Sequence, residues 1–224
     1  MDLATCSAFC RRLPPTKPLT PQHEMAYSHP HAYHHIGCGS GKLRTDRHDS
    51  IASAATSALA GEGPFRVDLK RNLTSSTRRD TKVDFLLTAN HTVPNVTAFD
   101  VTISCSLTST YISAAASSAT AIFTERTREK VAKHLPGSIE QGRAFLPIVF
   151  NSFGGLGPPE TIEWFDAVFR HSAQRERAAG GSGRTAADRK LLFYASVHAA
   201  LIRATARMVH LRVTATPPTT SRHE

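Results

Sequence analysis

Apolar and polar positions alternate in three short stretches of the chain, the period of a half-buried strand. Phe65, Val67 and Leu69 alternate within Pro64 to Lys70 (PFRVDLK). Lys82 to Thr88 (KVDFLLT) and Phe99 to Leu107 (FDVTISCSL) are apolar or β-branched runs, and they read as two more strands. Between them Asn90, Pro94 and Asn95 supply turn residues. Helical periods frame these strands. Ile51, Ala55, Ala58 and Leu59 fall on one face of Arg47 to Ala60, which Gly61 stops. A long helix is expected from Ile112 to His134, alanine-rich at first, charged at its end, and stopped by Pro136 and Gly137. Ala144 to Phe153 (AFLPIVFNSF) reads as a buried strand in which Pro147 argues for an edge position or a bulge. Helix Glu160 to Arg177 carries the stripe Ile162, Phe165, Val168 and Phe169, and Ala186 to Leu211 forms a last helix. FGGLG (153–157) lies where phosphate loops occur, but it lacks their lysine and spacing and reads as a tight turn.

The order is helix, three strands, helix, strand and two helices. Three strands joined by short turns form a meander, and the intervening helix is a crossover that can bring the fourth strand in parallel. The expected class is α/β, a small mixed sheet flanked by helices. The organisation expected is a loop-rich leader (1–46), a core (47–178), a flexible linker (179–185), a C-terminal helix (186–212) and a disordered tail (213–224).

Composition then narrows the partners. The formal net charge is +9 and the pI about 9.8, which favours a polyanion such as nucleic acid. No apolar run approaches the ~18 residues that cross a bilayer, so no membrane partner is expected. Arg11, Arg12, Pro14 and Pro15 interrupt the mildly apolar start before a signal-peptide core can form, and an intracellular protein is expected. Its four cysteines would then stay reduced and be better suited to metal than to disulfides.

Asp84 and Asp100 are the informative pair. Each sits inside a run that favours burial, and a buried carboxylate needs a cation or several donors. Two of them on adjacent strands can converge on a hard, oxygen-liking ion such as Mg²⁺, which would orient water and stabilise charge on a phosphate. The plainer alternative is that each caps a loop or pairs with Arg78 or Arg79 in the basic turn. Lys130 and Lys133 lie about one helical turn apart and offer an ammonium to the strand ends, or merely form a solvated helix end. Arg47, His48 and Asp49 open the first predicted helix, where a carboxylate is favourable in any case. There Asp49 is a candidate third acid, and Arg47 and His48, like Arg78 and Arg79, are candidate phosphate contacts. Cys6, Cys10, His34 and Cys38, with His35 adjacent, resemble the ligand set of a Zn²⁺ clip, although the two halves are far apart in sequence.

Taken in order, these motifs resemble the restriction-like endonuclease domain of site-specific non-LTR retrotransposons, a branch of the PD-(D/E)xK nucleases. The Cys/His knuckle matches Cys6, Cys10, His34 and Cys38; the Arg-His-Asp motif matches Arg47, His48 and Asp49. The acids match Asp84 and Asp100, and the lysine helix matches Lys130 and Lys133. The resemblance spans residues 6 to about 170. It implies a restriction-endonuclease-like αβββαβ core with additional C-terminal helices. It also implies Mg²⁺-dependent endonuclease action on nuclear DNA, with the knuckle holding Zn²⁺. Two positions depart from the pattern: Val83 replaces the usual proline, and Thr102 stands where such sites carry their lysine, so the helix must supply it. A domain that kept the fold and lost turnover would instead be an inactive nucleic-acid-binding remnant. A protein-interaction domain with incidental positive charge is a third alternative.

Overall fold

The computed structural model describes residues 41–62, 65–73, 81–89, 96–106, 111–118, 120–181 and 183–214. Among them the order is α1 (Gly41–Ala60), β1 (Arg66–Leu73), β2 (Thr81–Thr88), β3 (Val96–Ser104), α2 (Ile112–Ser117), α3 (Ala121–Glu140), β4 (Ala144–Asn151), β5 (Leu156–Gly157), α4 (Pro159–Ala178) and α5 (Ala186–Thr214). The described strands form one mixed sheet in sequence order, β1-β2-β3-β4-β5. β1–β2 and β2–β3 are antiparallel, whereas β3–β4 is parallel, because α2 and α3 carry the chain back across the sheet. The α/β class with a small mixed sheet between helices is therefore present.

β3 is interior to the sheet and nearly all buried. Its alternation sorts residues to two faces. Phe99 and Val101 join Phe85, Leu87, Ile148 and Phe150 in a core closed by Ile51, Ala55 and Leu59 of α1, Phe165 and Phe169 of α4, and Phe193 and Val197 of α5. Ala98 belongs to the smaller cluster of the opposite face, with Leu73, Val83, Leu86 and Phe145, covered by Val131 and Leu135 of α3. α5 is part of the same core: Arg189 near its start reaches the buried Glu62 after α1, and Ser172 of α4.

Several predicted boundaries move. α1 begins at Gly41, since KLRTDR holds no helix breaker, so Arg47, His48 and Asp49 occupy its second turn rather than its first. The charge–dipole advantage expected for Asp49 is accordingly lost. The helix expected over Ile112 to His134 is split, because the Ser118 hydroxyl accepts the Thr120 amide at 3.3 Å and contacts its hydroxyl at 2.9 Å, competing with the helical bonds. Pro136 does not end α3. It gives up its own N–H bond, while Gly137 and Ser138 pack buried beyond it, and the turn comes at Gly142, with φ +64°. Pro147 lies in β4 opposite Asp100, on a stretch where the two-residue β5 does not pair. That stretch is effectively an edge, where a missing N–H is tolerated. In FGGLG the chain folds back tightly: the Asn151 amide donates to Gly155 O and the Gly154 amide to Asn151 O. Gly154 adopts φ +102°, a conformation side chains disfavour.

Candidate active site

The site lies where the β2–β3 ladder gives out. Pairing runs from Thr88↔Val96 to Phe85↔Phe99 and stops there, one step short of setting Asp84 opposite Asp100. On its other side the β1–β2 ladder also skips one position, at Lys70 and Asp84, and Lys70 has φ +45°. A non-glycine residue in that region is uncommon and marks a local kink. With its strand partners displaced, Asp84 turns its carboxylate to the β3 backbone. Its Oδ2 accepts the Val101 amide at 2.6 Å.

Val101 follows Asp100, so the two aspartates flank one peptide. From α1, His48 Nε2 donates to Asp84 Oδ2 at 3.1 Å and to Val101 O at 2.9 Å, while Nδ1 lies 3.2 Å from Asp49 Oδ1. The hydrogen bond to Asp84 outweighs the cost of burial and pushes the His48 pKa up to about 9. The ring is therefore an imidazolium at neutral pH, with a proton for acceptors on both sides. Lys70 adds a second cation, 3.6 Å from Asp49.

Asp100 is held from the other face. Lys130 Nζ of α3 is 2.6 Å from Oδ2, and His134 Nε2 is 3.2 Å from Oδ1. Burial alone would raise the pKa of this carboxyl; His134 and Lys130 reverse that and leave it lowered. The charges are close but imperfectly aimed. Oδ2 of Asp100 and Nε2 of His134 are buried atoms that complete no well-directed hydrogen bond among the described residues. The grip on Asp100 is mainly electrostatic and leaves a lone pair of Oδ2 to offer. Asp84 makes its two hydrogen bonds through Oδ2, and Oδ1 takes neither. Two hard oxygens from neighbouring carboxylates suit Mg²⁺, which keeps several waters and needs few protein ligands. Among the described residues, no group of three or more His, Cys, Asp or Glu side chains is arranged to hold a metal ion.

The other candidates divide. Lys133, three residues after Lys130, is exposed. Arg47 is 4% exposed, and burial lowers its pKa, so its guanidinium is enclosed rather than offered to a polyanion. Thr102, opposite Val149 of β4, supplies no cation. Cys6, Cys10, His34, Cys38, Arg78 and Arg79 lie outside the described residues.

Sequence reasoning missed two members of the α3 row. Arg126, Lys130 and His134 recur every fourth residue, the spacing of one helical stripe. Arg126 Nε donates to Ser104 Oγ at 2.8 Å, so the stripe follows β3 from Ser104 to Asp100. The four-residue spacing was the available signal; the three-residue Lys130/Lys133 spacing drew attention away from it.

No helix among the described residues is long and apolar enough to cross a membrane. No protein-family model matches the chain, and no curated protein sequence does.

Proposed function

We propose that the chain is a divalent-metal-dependent endonuclease that nicks or cleaves DNA, with Asp84 and Asp100 as the metal-holding pair. The observation that carries this reading is the placement of Lys130 2.6 Å from Asp100, beside a second strand-end carboxylate whose Oδ1 stays available. The order α1, β1, β2, β3, α3, β4 agrees with the restriction-like αβββαβ core that the motif resemblance implies, and this is an argument by analogy of fold. The net charge of +9 suits a phosphate backbone.

Mg²⁺ held by these two carboxylates would polarise the phosphate and lower the pKa of a bound water. The residues do the rest. Lys130 sets an ammonium where negative charge builds on the phosphate in the transition state. His48 ties α1 to Asp84 and to the Val101 carbonyl, which fixes the first carboxylate against the second strand. Asp49, bonded to His48 and facing Lys70, acts at one remove from the metal pair.

A second reading has its own support. Both carboxylates already face protein cations, His48 for one and Lys130 with His134 for the other. A self-neutralised pair of this kind fits an inactive nucleic-acid-binding remnant. Nicking of supercoiled plasmid with Mg²⁺ or Mn²⁺, abolished by chelator and by Asp100→Asn, is the result expected of the nuclease. Salt-dependent DNA binding without nicking under any metal would assign the chain to the remnant.

A further inference from the structure

His134 is fully buried, 0% exposed, and both its ring nitrogens face polar atoms on different strands. Nδ1 lies 3.1 Å from the hydroxyl of Thr81, which begins β2, and Nε2 lies 3.2 Å from Oδ1 of Asp100 on β3. The Phe145 ring, 5.3 Å from the imidazole centre, packs beside it in the α3-side cluster.

The chemistry orders this chain of groups. A carboxylate only accepts, so the proton facing Asp100 belongs to Nε2. The Thr81 hydroxyl can donate, which leaves Nδ1 as its acceptor in the neutral ring. Thr81 thereby selects the tautomer that presents N–H to Asp100, as an outer partner does for a ligating histidine. A histidine kept only to fill a core would need neither contact, since an apolar side chain fills such a space without the cost of burying two ring nitrogens.

We propose that Thr81–His134–Asp100 is a positioning relay for a divalent cation. His134 is a positioning residue: it holds Oδ1 of Asp100 so that Oδ2 is turned to Lys130 and to the cation. The inference rests on the metal-dependent reading above, and it adds to that reading the group that orients the second carboxylate.

The test is Mn²⁺ titration by calorimetry on the full chain, with Asp100→Asn as the control that removes the site. Thr81→Val, which deletes only the hydroxyl, and His134→Met should each weaken Mn²⁺ binding by about 10- to 100-fold, the usual cost of an outer-shell partner. His134→Gln keeps an N–H donor near the Nε2 position and should bind within about threefold of the wild type. In metal-free protein, ¹⁵N spectra should show His134 protonated at Nε2, and Thr81→Val should disturb that tautomer. If His134→Met does not fold, Thr81→Val and His134→Gln still carry the comparison. Wild-type affinity in both Thr81→Val and His134→Met, or an Nδ1–H tautomer, overturns the relay while leaving the metal centre standing. A wild type that binds no Mn²⁺ overturns the metal centre and the relay together.

Discussion

The two faces of the sheet are built from different materials. On one, Phe85 stacks on Phe99 at 4.9 Å, Phe99 on Phe165 at 5.9 Å, and Phe165 meets Phe193 at 4.7 Å. On the other, a smaller apolar cluster shares its space with Asp100, Lys130 and His134. β3 serves both, sending Phe99 one way and Asp100 the other. Burying a carboxylate is costly even when paired, and a sheet with only the second face would have little apolar area to offset it. The comparison suggests a division of labour in which rings on the first face stabilise the fold and the second holds charge in a fixed place.

Core truncation should break that comparison if it is wrong. Phe99→Ala should destabilise by about 3–5 kcal/mol, the range for a fully buried phenylalanine. For a chain of this length that is a fall in Tm of about 10 °C. Val131→Ala, on the half-buried α3 side, should cost about 1 kcal/mol. Thermal unfolding of both variants checks the order, and equal losses would show that the α3 face carries as much of the fold.

A functional contrast comes next in size. Lys130→Ala should reduce cleavage by roughly a hundredfold, the scale of losing one contact made in the transition state. DNA binding by the same variant should stay within about threefold, because a backbone-tracking surface loses only one charge. Single-turnover cleavage and a binding titration separate the two. Cleavage that survives in a Lys130→Ala, Lys133→Ala double variant would remove Lys130 from the mechanism.

How much of this was legible depends on range in sequence. The strand cores and both aspartates were readable because period-two alternation is local, and an acid inside KVDFLLT or AFDVTIS stands out against it. The site's cations were less so. His134 within REKVAKH reads as part of a solvated helix end, and what buries it is α3 lying on β3, a contact over more than thirty residues. Helix ends were the weakest. Pro136 is a stop signal by propensity, yet packing of Gly137 and Ser138 carries α3 past it. Arg47 reads as a surface charge beside His48 and is in fact enclosed, since only the second-turn position on α1 decides which way it faces.

A pH experiment sharpens the contrast between the two carboxylates. The folded-state pKa of His48 is about 9, above its unfolded value of 6.5. Its contribution to stability is therefore fully present below pH 6.5 and lost as pH rises through 9. Allowing for solvent screening of a partly exposed ring, the loss is on the order of 2 kcal/mol. Asp100 works in the opposite direction: its lowered pKa gives stability present above its unfolded value of 3.8 and lost as pH falls through the folded one. Chemical denaturation of wild type and His48→Gln between pH 6 and 10 should converge at the alkaline end. A gap that stays constant across the range would mean that His48 is not charged in the folded protein.

The smallest effect expected is the most discriminating for the helix. Lys133 is exposed and, among the described residues, makes no ion pair, whereas Lys130 is mostly covered and touches Asp100. The difference follows from helix geometry. A side chain four residues from Lys130 returns nearly to its azimuth, as His134 does, while one three residues away falls some 60° to the side. On a helix packed against a sheet, that angle separates a site-facing residue from a solvated one. Lys133→Ala should therefore change stability by no more than about 0.5 kcal/mol, the usual range for an exposed surface position. Cleavage should stay within about threefold, since no transition-state contact is removed. A Lys133→Ala variant that loses as much activity as Lys130→Ala would place both ammonium groups at the phosphate. The stripe Arg126, Lys130, His134 would then not be the functional face of α3.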